Sequence, residues 1–569
     1  NATVNYSSLR GLQGNLYEPF LPQAWAYASN NGTFAFIHPE SVFNDSNAVN
    51  IRRELNPRLR KHFRFSNALK LFADVHTSRE FGLNVYSNEQ TVGFEQIVNL
   101  YEAKTVDECY ENNSDEPVYI RSRDGRRNTH GQHDRITILG RDELKLFARI
   151  LDASDDWKSA RLMNLHVQQL VGVLQCFEKQ TKKIADFSSR LSTSMLWDET
   201  NAQKDGTIKR DVHFGTLQDS ILSGAHIGIA NPLFNCSNAG CSGNNDNTSI
   251  DLKNITDDYL QRVNYSSNCA YSEYLSRVPS TPWGTKYTHE YRVAARKMVD
   301  IEGERTLMPA LLPPHIGHTN GIIGFAFKNA QEAAMVLGLI SSLPYDFFIK
   351  VCGKGNLYMS TVGMLPTMDV LNPIIEEITC RAALLNCLTI NYADFWQAVF
   401  SQEFAAFVWT KKDIRLSVET FSRLCKNWNH NTPLRDSYAR RQAMVEIDVL
   451  AAMALGMSLE QLLSIYRIQF PILQQHERDT YYDAHGNIVF AKNNALTSVG
   501  YSRPEWENGI KGAPAGKKFT RTITDDTMPG GPVERTIEYL APFDRCDREQ
   551  DYETAWRFFE EKYGKEEKK

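Results

Sequence analysis

The chain has 569 residues, with 63 Lys+Arg against 68 Asp+Glu and a formal charge of −5, so it is too long for one core and its overall balance carries no signature of nucleic-acid binding. Hydrophobic residues at 42% and aromatic residues at 11% exclude a mainly disordered chain. No run approaches the roughly 20 apolar residues of a membrane span, residues 1–10 lack the pattern of a signal peptide, and ten scattered cysteines suit a reducing compartment, so the expectation is a cytoplasmic protein with no membrane contact.

Residues 15–28 have helical periodicity, and Gly32-Thr33-Phe34-Ala35-Phe36-Ile37 is a short apolar run after a turn, as in a buried strand. Residues 81–86 form a second candidate strand beyond a basic segment read as helical, which makes this α/β material. From 111 to 140 the chain turns polar, with Arg121, Arg123, Arg126, Arg127 and Arg135 among Gly, Asn and His, as in a loop or irregular sheet. A helical stretch is expected at 161–187 and a Cys/Ser/Asn/Gly loop at 235–247. Apolar runs alternate with Pro and Gly over 287–365, and helical regions follow at 372–407 and 437–466, the second broken at Gly456. The tail holds the turn Asp483-Ala484-His485-Gly486-Asn487, a Gly/Pro/Lys-rich linker near 509–518, an amphipathic helix at 549–563 and a frayed end at 565–569.

Three groups of segments go beyond composition. The first is Gln13-Gly14-Asn15-Leu16-Tyr17-Glu18-Pro19-Phe20-Leu21 with the apolar run that leads into His38-Pro39-Glu40-Ser41. The second runs from Arg58-Leu59-Arg60-Lys61-His62-Phe63-Arg64 through Lys70-Leu71-Phe72. The third is an ordered series: Tyr291-Arg292-Val293-Ala294-Ala295-Arg296, Glu304-Arg305-Thr306-Leu307, Leu312-Pro313-Pro314-His315, Ser341-Ser342-Leu343-Pro344, Gly353-Lys354-Gly355 and Leu365-Pro366, continuing through Leu385-Asn386-Cys387-Leu388, Glu446-Ile447-Asp448 and residues 465–471 to Gly500-Tyr501. Together they resemble the part of large gamma-type DNA adenine-N6 methyltransferases, of bacterial restriction-modification or DISARM-like phage-defence systems, that follows the catalytic tetrapeptide.

The resemblance implies a fold that is α/β plus α+β: the second half of a Rossmann-like methyltransferase domain over 1–108, a basic insertion and helical connector over 109–280, a mixed target-recognition core over 281–370, a helical support region over 371–480 and an arm over 481–569. It implies S-adenosylmethionine as cofactor, with Asn15, Tyr17 and Phe20 beside its pocket, and a target-base pocket built from Pro39, Ser41, Phe72, His76 and Phe81, in which any of Phe72, His76 or Phe81 can be the ring that packs on an extruded adenine. Double-stranded DNA is the implied partner. Arg58, Arg60, Lys61 and Arg64 make a dense positive patch with little acid adjacent in the sequence, and they join Arg121, Arg123, Arg126, Arg127, Arg292, Arg296, Arg305 and Lys354 as candidate phosphate or base-edge contacts. The plain alternatives are a solvated helix face for the patch and structural ion pairs for Glu304 and Arg305.

Adenine-N6 transfer needs an Asn/Asp-Pro-Pro-aromatic tetrapeptide and a Gly-rich turn for the cofactor, and the sequence has neither; Leu312-Pro313-Pro314-His315 lacks the residue types on both sides of the prolines. The expectation is therefore a chain without catalytic residues of its own, inactive alone, that pairs with a polypeptide carrying the N-terminal half. Cys236, Cys241 and Cys269 near His226 lack zinc-site spacing, and no metal is expected. The alternative function is a non-catalytic DNA-specificity or scaffold subunit that recruits a partner enzyme.

Overall fold

The computed structural model describes residues 2–114, 118–122, 125–244, 246–491 and 499–564, and the frayed end expected at 565–569 lies outside them. The chain forms two compact units, one of residues 1–181 with 350–353 and 464–471, the other of residues 182–349, 354–463 and 472–569. The architecture is mixed α/β with several separate sheets.

The first unit is built on a five-stranded sheet of order β1-β3-β2-β4-β5, with β1 Thr33–Pro39, β2 Leu59–Ser66, β3 Glu80–Ser87, β4 Phe94–Leu100 and β5 Thr137–Leu139. Strand β3 runs antiparallel to both β1 and β2, so those two point the same way with a returning strand between them; β4 is parallel to β2 and antiparallel to β5. Because the sheet includes β5, the boundary expected after residue 108 falls inside it.

The basic segment read as helical is instead strand β2. The preceding helix, Val49–Leu55, is capped by Asn56 and stops before Pro57, which has no backbone N–H with which to continue it. As a central strand, β2 is covered on both faces, and Phe63 and Phe65 join Ile97, Leu100 and Cys109 in the core. The first helix is shorter than expected, Phe20–Tyr27, with Pro19 at its N-cap and residues 15–19 spent in turns. Over 161–187 the α-helix is confined to Val171–Glu178. The expected 235–247 loop carries the paired strands Asn235–Ser237 and Asn247–Ser249.

In the second unit a four-stranded antiparallel sheet takes the order Pro309–Leu312, Arg292–Arg296, Ile322–Phe327, Leu191–Ser194. A second four-stranded sheet orders Gly317–His318, Ser220–Leu222, Val263–Ser267 and Ile208–His213. Helices Ala330–Ser341, Pro373–Asn386, Ser437–Ala454 and Arg548–Tyr563 supply the helical layer, and the last closely matches the amphipathic helix read at 549–563. Within this layer Arg381, fully buried, pairs with Glu377 and lies 2.7 Å from Glu446. The turn at 483–487 joins strands Thr480–Tyr482 and Ile488–Ala491. Among the described residues no single helix is long and apolar enough to cross a membrane.

Candidate functional site

The residues marked for a pocket meet at the C-terminal end of β1. Pro39 faces Phe81 across the β1–β3 register, and Phe65 of β2 faces Phe81 from the other side. The rings of Phe65 and Phe81 stack at 5.4 Å, and Phe72 meets Phe81 edge-on at 5.0 Å. Phe65 is buried, Phe81 partly buried and Phe72 42% exposed, so the aromatic cluster runs from the core to a ring open to solvent.

Phe72 sits in the β2–β3 connection, which is shaped by one buried side chain. Asn67 accepts from the Phe72 amide at 2.9 Å and donates to the carbonyls of Phe72 and Val75 at 3.0 and 2.7 Å. That clasp follows a single 3-10 turn, Asn67–Leu69, and lets the connection present Leu69, Leu71, Phe72 and Val75 to solvent. His76 lies on the same loop, exposed, with Nδ1 2.8 Å from Ser78 Oγ.

The Asn-Leu-Tyr segment closes on the same end of β1. Tyr17 Oη is 2.6 Å from Ser41 Oγ, and its ring stacks on His38 at 5.3 Å with 10° between planes. Burial pushes the Tyr17 hydroxyl up to about 12, so it remains neutral. Asn15 starts the turn, its amide donating to Glu18 Oε2 at 3.1 Å, while Phe20 opens the helix and is 53% exposed.

Behind this wall lies a polar network that sequence reading missed. His38 Nδ1–H donates to the Pro39 carbonyl at 2.8 Å, which leaves Nε2 to accept from Tyr86 Oη at 2.9 Å and from Asn84 at 3.0 Å. Burial lowers the His38 pKa and keeps that neutral tautomer. Glu40, the next inward residue, lies 3.1 Å from His62 Nε2, and His62 Nδ1 accepts from Gln96 at 3.1 Å. Burial opposes ionisation of Glu40, but His62, Arg64 and His38 together outweigh it and hold the carboxyl below its usual range. Gly82 makes room for it: a Cβ there would stand 2.2 Å from Glu40 Oε1. The exposed members are Pro39 and Ser41, and the titratable groups beneath them, His38, Glu40 and His62, are buried, so this network fixes a surface.

Most cations of the expected DNA patch are already occupied. Arg58 is 9% exposed, bonded to Glu54 at 2.7 Å and packed over the Trp25 ring. Arg60 donates to the carbonyls of Pro57, Leu59 and Glu89. Lys61 pairs with Glu95 and is 2.9 Å from Tyr110 Oη, and Arg64, buried, pairs with Glu80 and Asn164. Arg121 donates to the Gly125 carbonyl at 3.1 Å, Arg127 packs over the Tyr101 ring, Arg126 is exposed, and Arg123 lies outside the described residues.

In the second unit Arg292 is fully buried, donating to the carbonyls of Glu290 and Pro313 at 3.1 and 2.6 Å. Arg296 donates to the Ile227 carbonyl at 2.8 Å and packs over Phe234. Arg305 is 2.6 Å from Asp346, and Glu304 is 2.6 Å from His476, so both are in ion pairs, with partners other than each other. Gly353, of the first unit, takes φ +63° and packs where a Cβ would stand 2.6 Å from Asn164, which is an internal reason for glycine. Lys354 and Gly355 lead instead into an exposed tip: residues 297–299 and 355–357 are laced together by backbone bonds and a bridge between Met298 and Asn356. There Met298 is 75% exposed, Tyr358 44%, and Lys297 Nζ lies 5.5 Å from the Tyr358 ring centre. His226, near the cysteines set aside for zinc, lies 2.9 Å from Ser237 and 3.0 Å from Ser223.

No family model matches the sequence, and no curated protein matches it. Among solved structures the chain is similar to the Type IIL restriction-modification enzyme MmeI in complex with DNA, at 10% identity and a TM-score of 0.37, over 82% of this chain and 54% of that one. It is also similar to the type IIG restriction endonuclease BpuSI, at 11% identity and a TM-score of 0.24, over 80% of this chain and 51% of that one. The chain thus spans about half the length of either.

Proposed function

We propose that this chain is the DNA-recognising and base-pocket portion of a site-specific DNA adenine-N6 methyltransferase that uses S-adenosylmethionine, serving bacterial restriction-modification or phage defence. The observation that carries the reading is convergence: three segments singled out in the sequence, around Tyr17, Pro39 and Phe72, close on one end of β1. On this reading Phe72, backed by Phe81, packs against an extruded adenine, and Tyr17 with Ser41 and Pro39 forms the floor toward the cofactor.

A further observation fits an incomplete methyltransferase sheet. Among the described residues β1 pairs with β3 alone, and Ile37 on it is 56% exposed, with Leu16 at 84% and Phe20 at 53% near its end. An apolar edge strand with a free row of backbone groups is the place where the strands bearing the tetrapeptide and cofactor turn would add, on whatever polypeptide they are carried. Phosphate contact then falls to cations nearer the surface, Lys70 and Arg79 in the Phe72 loop and Lys297 at the exposed tip, more than to Arg64, Arg292 or Arg305.

The test is a pull-down of the β1-edge partner by complementation. Co-expression with a polypeptide carrying the tetrapeptide and cofactor turn should give a stable complex that transfers the methyl group to adenine in a defined site. A complex that binds the same site without methyl transfer would favour the scaffold alternative.

A further inference from the structure

A cavity of about 280 Å³ lies within the second unit, close to the ~300 Å³ at which small-molecule pockets begin. Four arginines line it, Arg305, Arg440, Arg441 and Arg548. Three of them have carboxylate partners. Arg305 lies 2.6 Å from Asp346, Arg441 2.7 Å from Glu477, and Arg548 3.0 Å from Asp448 and 2.9 Å from Glu477.

Arg440 has none. Its Nη1 donates to the carbonyls of Leu385 and Leu434 at 2.9 and 2.8 Å, and its Nη2 to the carbonyl of Ala230 at 2.8 Å. Both Nη1 hydrogens and one on Nη2 are thereby used, while the Nε–H and the second Nη2–H have no acceptor among the described residues. Burial, and then the neighbouring Arg435, bring the Arg440 pKa down to about 9, which is the response of a cation without a counter-ion.

The acids on the wall do not fill that role. Glu477 is held between Arg441 and Arg548, and Glu304 is 2.6 Å from His476; Asp479 completes the set and is not within ion-pair distance of Arg440. The rest of the lining is largely apolar, with Phe234, Leu385, Met444 and Leu473 prominent.

We infer that this cavity binds a small molecule bearing an oxyanion, a phosphate or a carboxylate seated on the open donors of Arg440, with its remainder against the apolar wall. A guanidinium is suited to this because its forked donors match two oxygens of such a group. The inference is independent of the methyltransferase reading, and its failure leaves that reading untouched.

The experiment titrates the full chain with inorganic phosphate and, separately, with acetate at constant ionic strength, following the unfolding temperature, with chloride as the control. A saturable rise with one of the two anions is expected, the responding arm naming the oxyanion. Arg440→Gln, which keeps amide donors toward the carbonyls, should weaken that anion at least tenfold. No saturable rise with either anion, or an unchanged affinity in Arg440→Gln, overturns the inference. Should that variant fail to fold, selenate-soaked crystals of the unaltered chain decide: an anomalous peak within hydrogen-bond reach of Arg440 Nε supports the site, and its absence there overturns it.

Discussion

Phe72 meets Phe81 edge-on at 5.0 Å, and this contact makes it the outermost and most exposed ring of a three-phenylalanine cluster whose middle ring, Phe81, is the cross-strand partner of Pro39. Removing the outer ring should leave the stack folded and cost only contacts made to DNA. Phe72→Ala is expected to weaken binding of the cognate duplex by about 1–3 kcal/mol, the range of base–aromatic stacking, with little change in the unfolding temperature. Fluorescence anisotropy alongside thermal unfolding checks both halves.

Charge position separates two kinds of arginine and lysine. Lys297 at the exposed tip should contribute to phosphate binding, so Lys297→Ala reduces the slope of log affinity against log salt by about 1. Arg292, buried on two carbonyls, should behave oppositely: Arg292→Ala lowers stability and leaves the slope of the folded fraction unchanged. A salt titration of each variant measures this.

Gly82→Ala should be destabilising by about 1–3 kcal/mol, because its methyl group would stand 2.2 Å from Glu40 Oε1. Glu40→Ala in the same chain removes the closest contact and leaves that to Asn84 Nδ2 at 2.7 Å, so the double variant should lose less than the two single changes added together while staying below Glu40→Ala alone. Urea unfolding of the four proteins gives the coupling.

Glu477 ties the C-terminal helix to the helical layer through Arg548 at 2.9 Å and Arg441 at 2.7 Å. Burial opposes its charge, but Arg441 and Arg548 more than offset this and bring its pKa down to about 2. A depressed folded-state pKa stabilises the fold above the unfolded value near 4.5 and is lost as pH falls from there toward 2, on the order of 3 kcal/mol in all. Stability measured across that window should fall more steeply for the unaltered chain than for Glu477→Gln, which starts lower.

Periodicity was enough to read the helices at 437–466 with their break at Gly456, strand β1 and the last helix, because each repeats its apolar spacing within its own segment. Strand β2 was not legible: six basic residues within 52–64 look like a solvated face until β3 and β4 cover both sides of the strand. The same blindness affected the cations. Arg64 finds Glu80, Arg305 finds Asp346 and Arg381 finds Glu446, and such distant partners leave no local mark in a chain. The residues around Tyr17, Pro39 and Phe72 were singled out as a pattern of types, whereas the His38–Tyr86 and Glu40–His62 pairs behind them exist only once the strands are in register.

The central claim is that this chain reads DNA sequence. Binding to a randomised duplex pool, titrated with salt and followed by sequencing of the retained DNA, tests it most directly. Enrichment of one short motif containing adenine, lost in Phe72→Ala, is the predicted result. Retention without any preferred motif, or no retention at low salt with a β1-edge partner present, would contradict it.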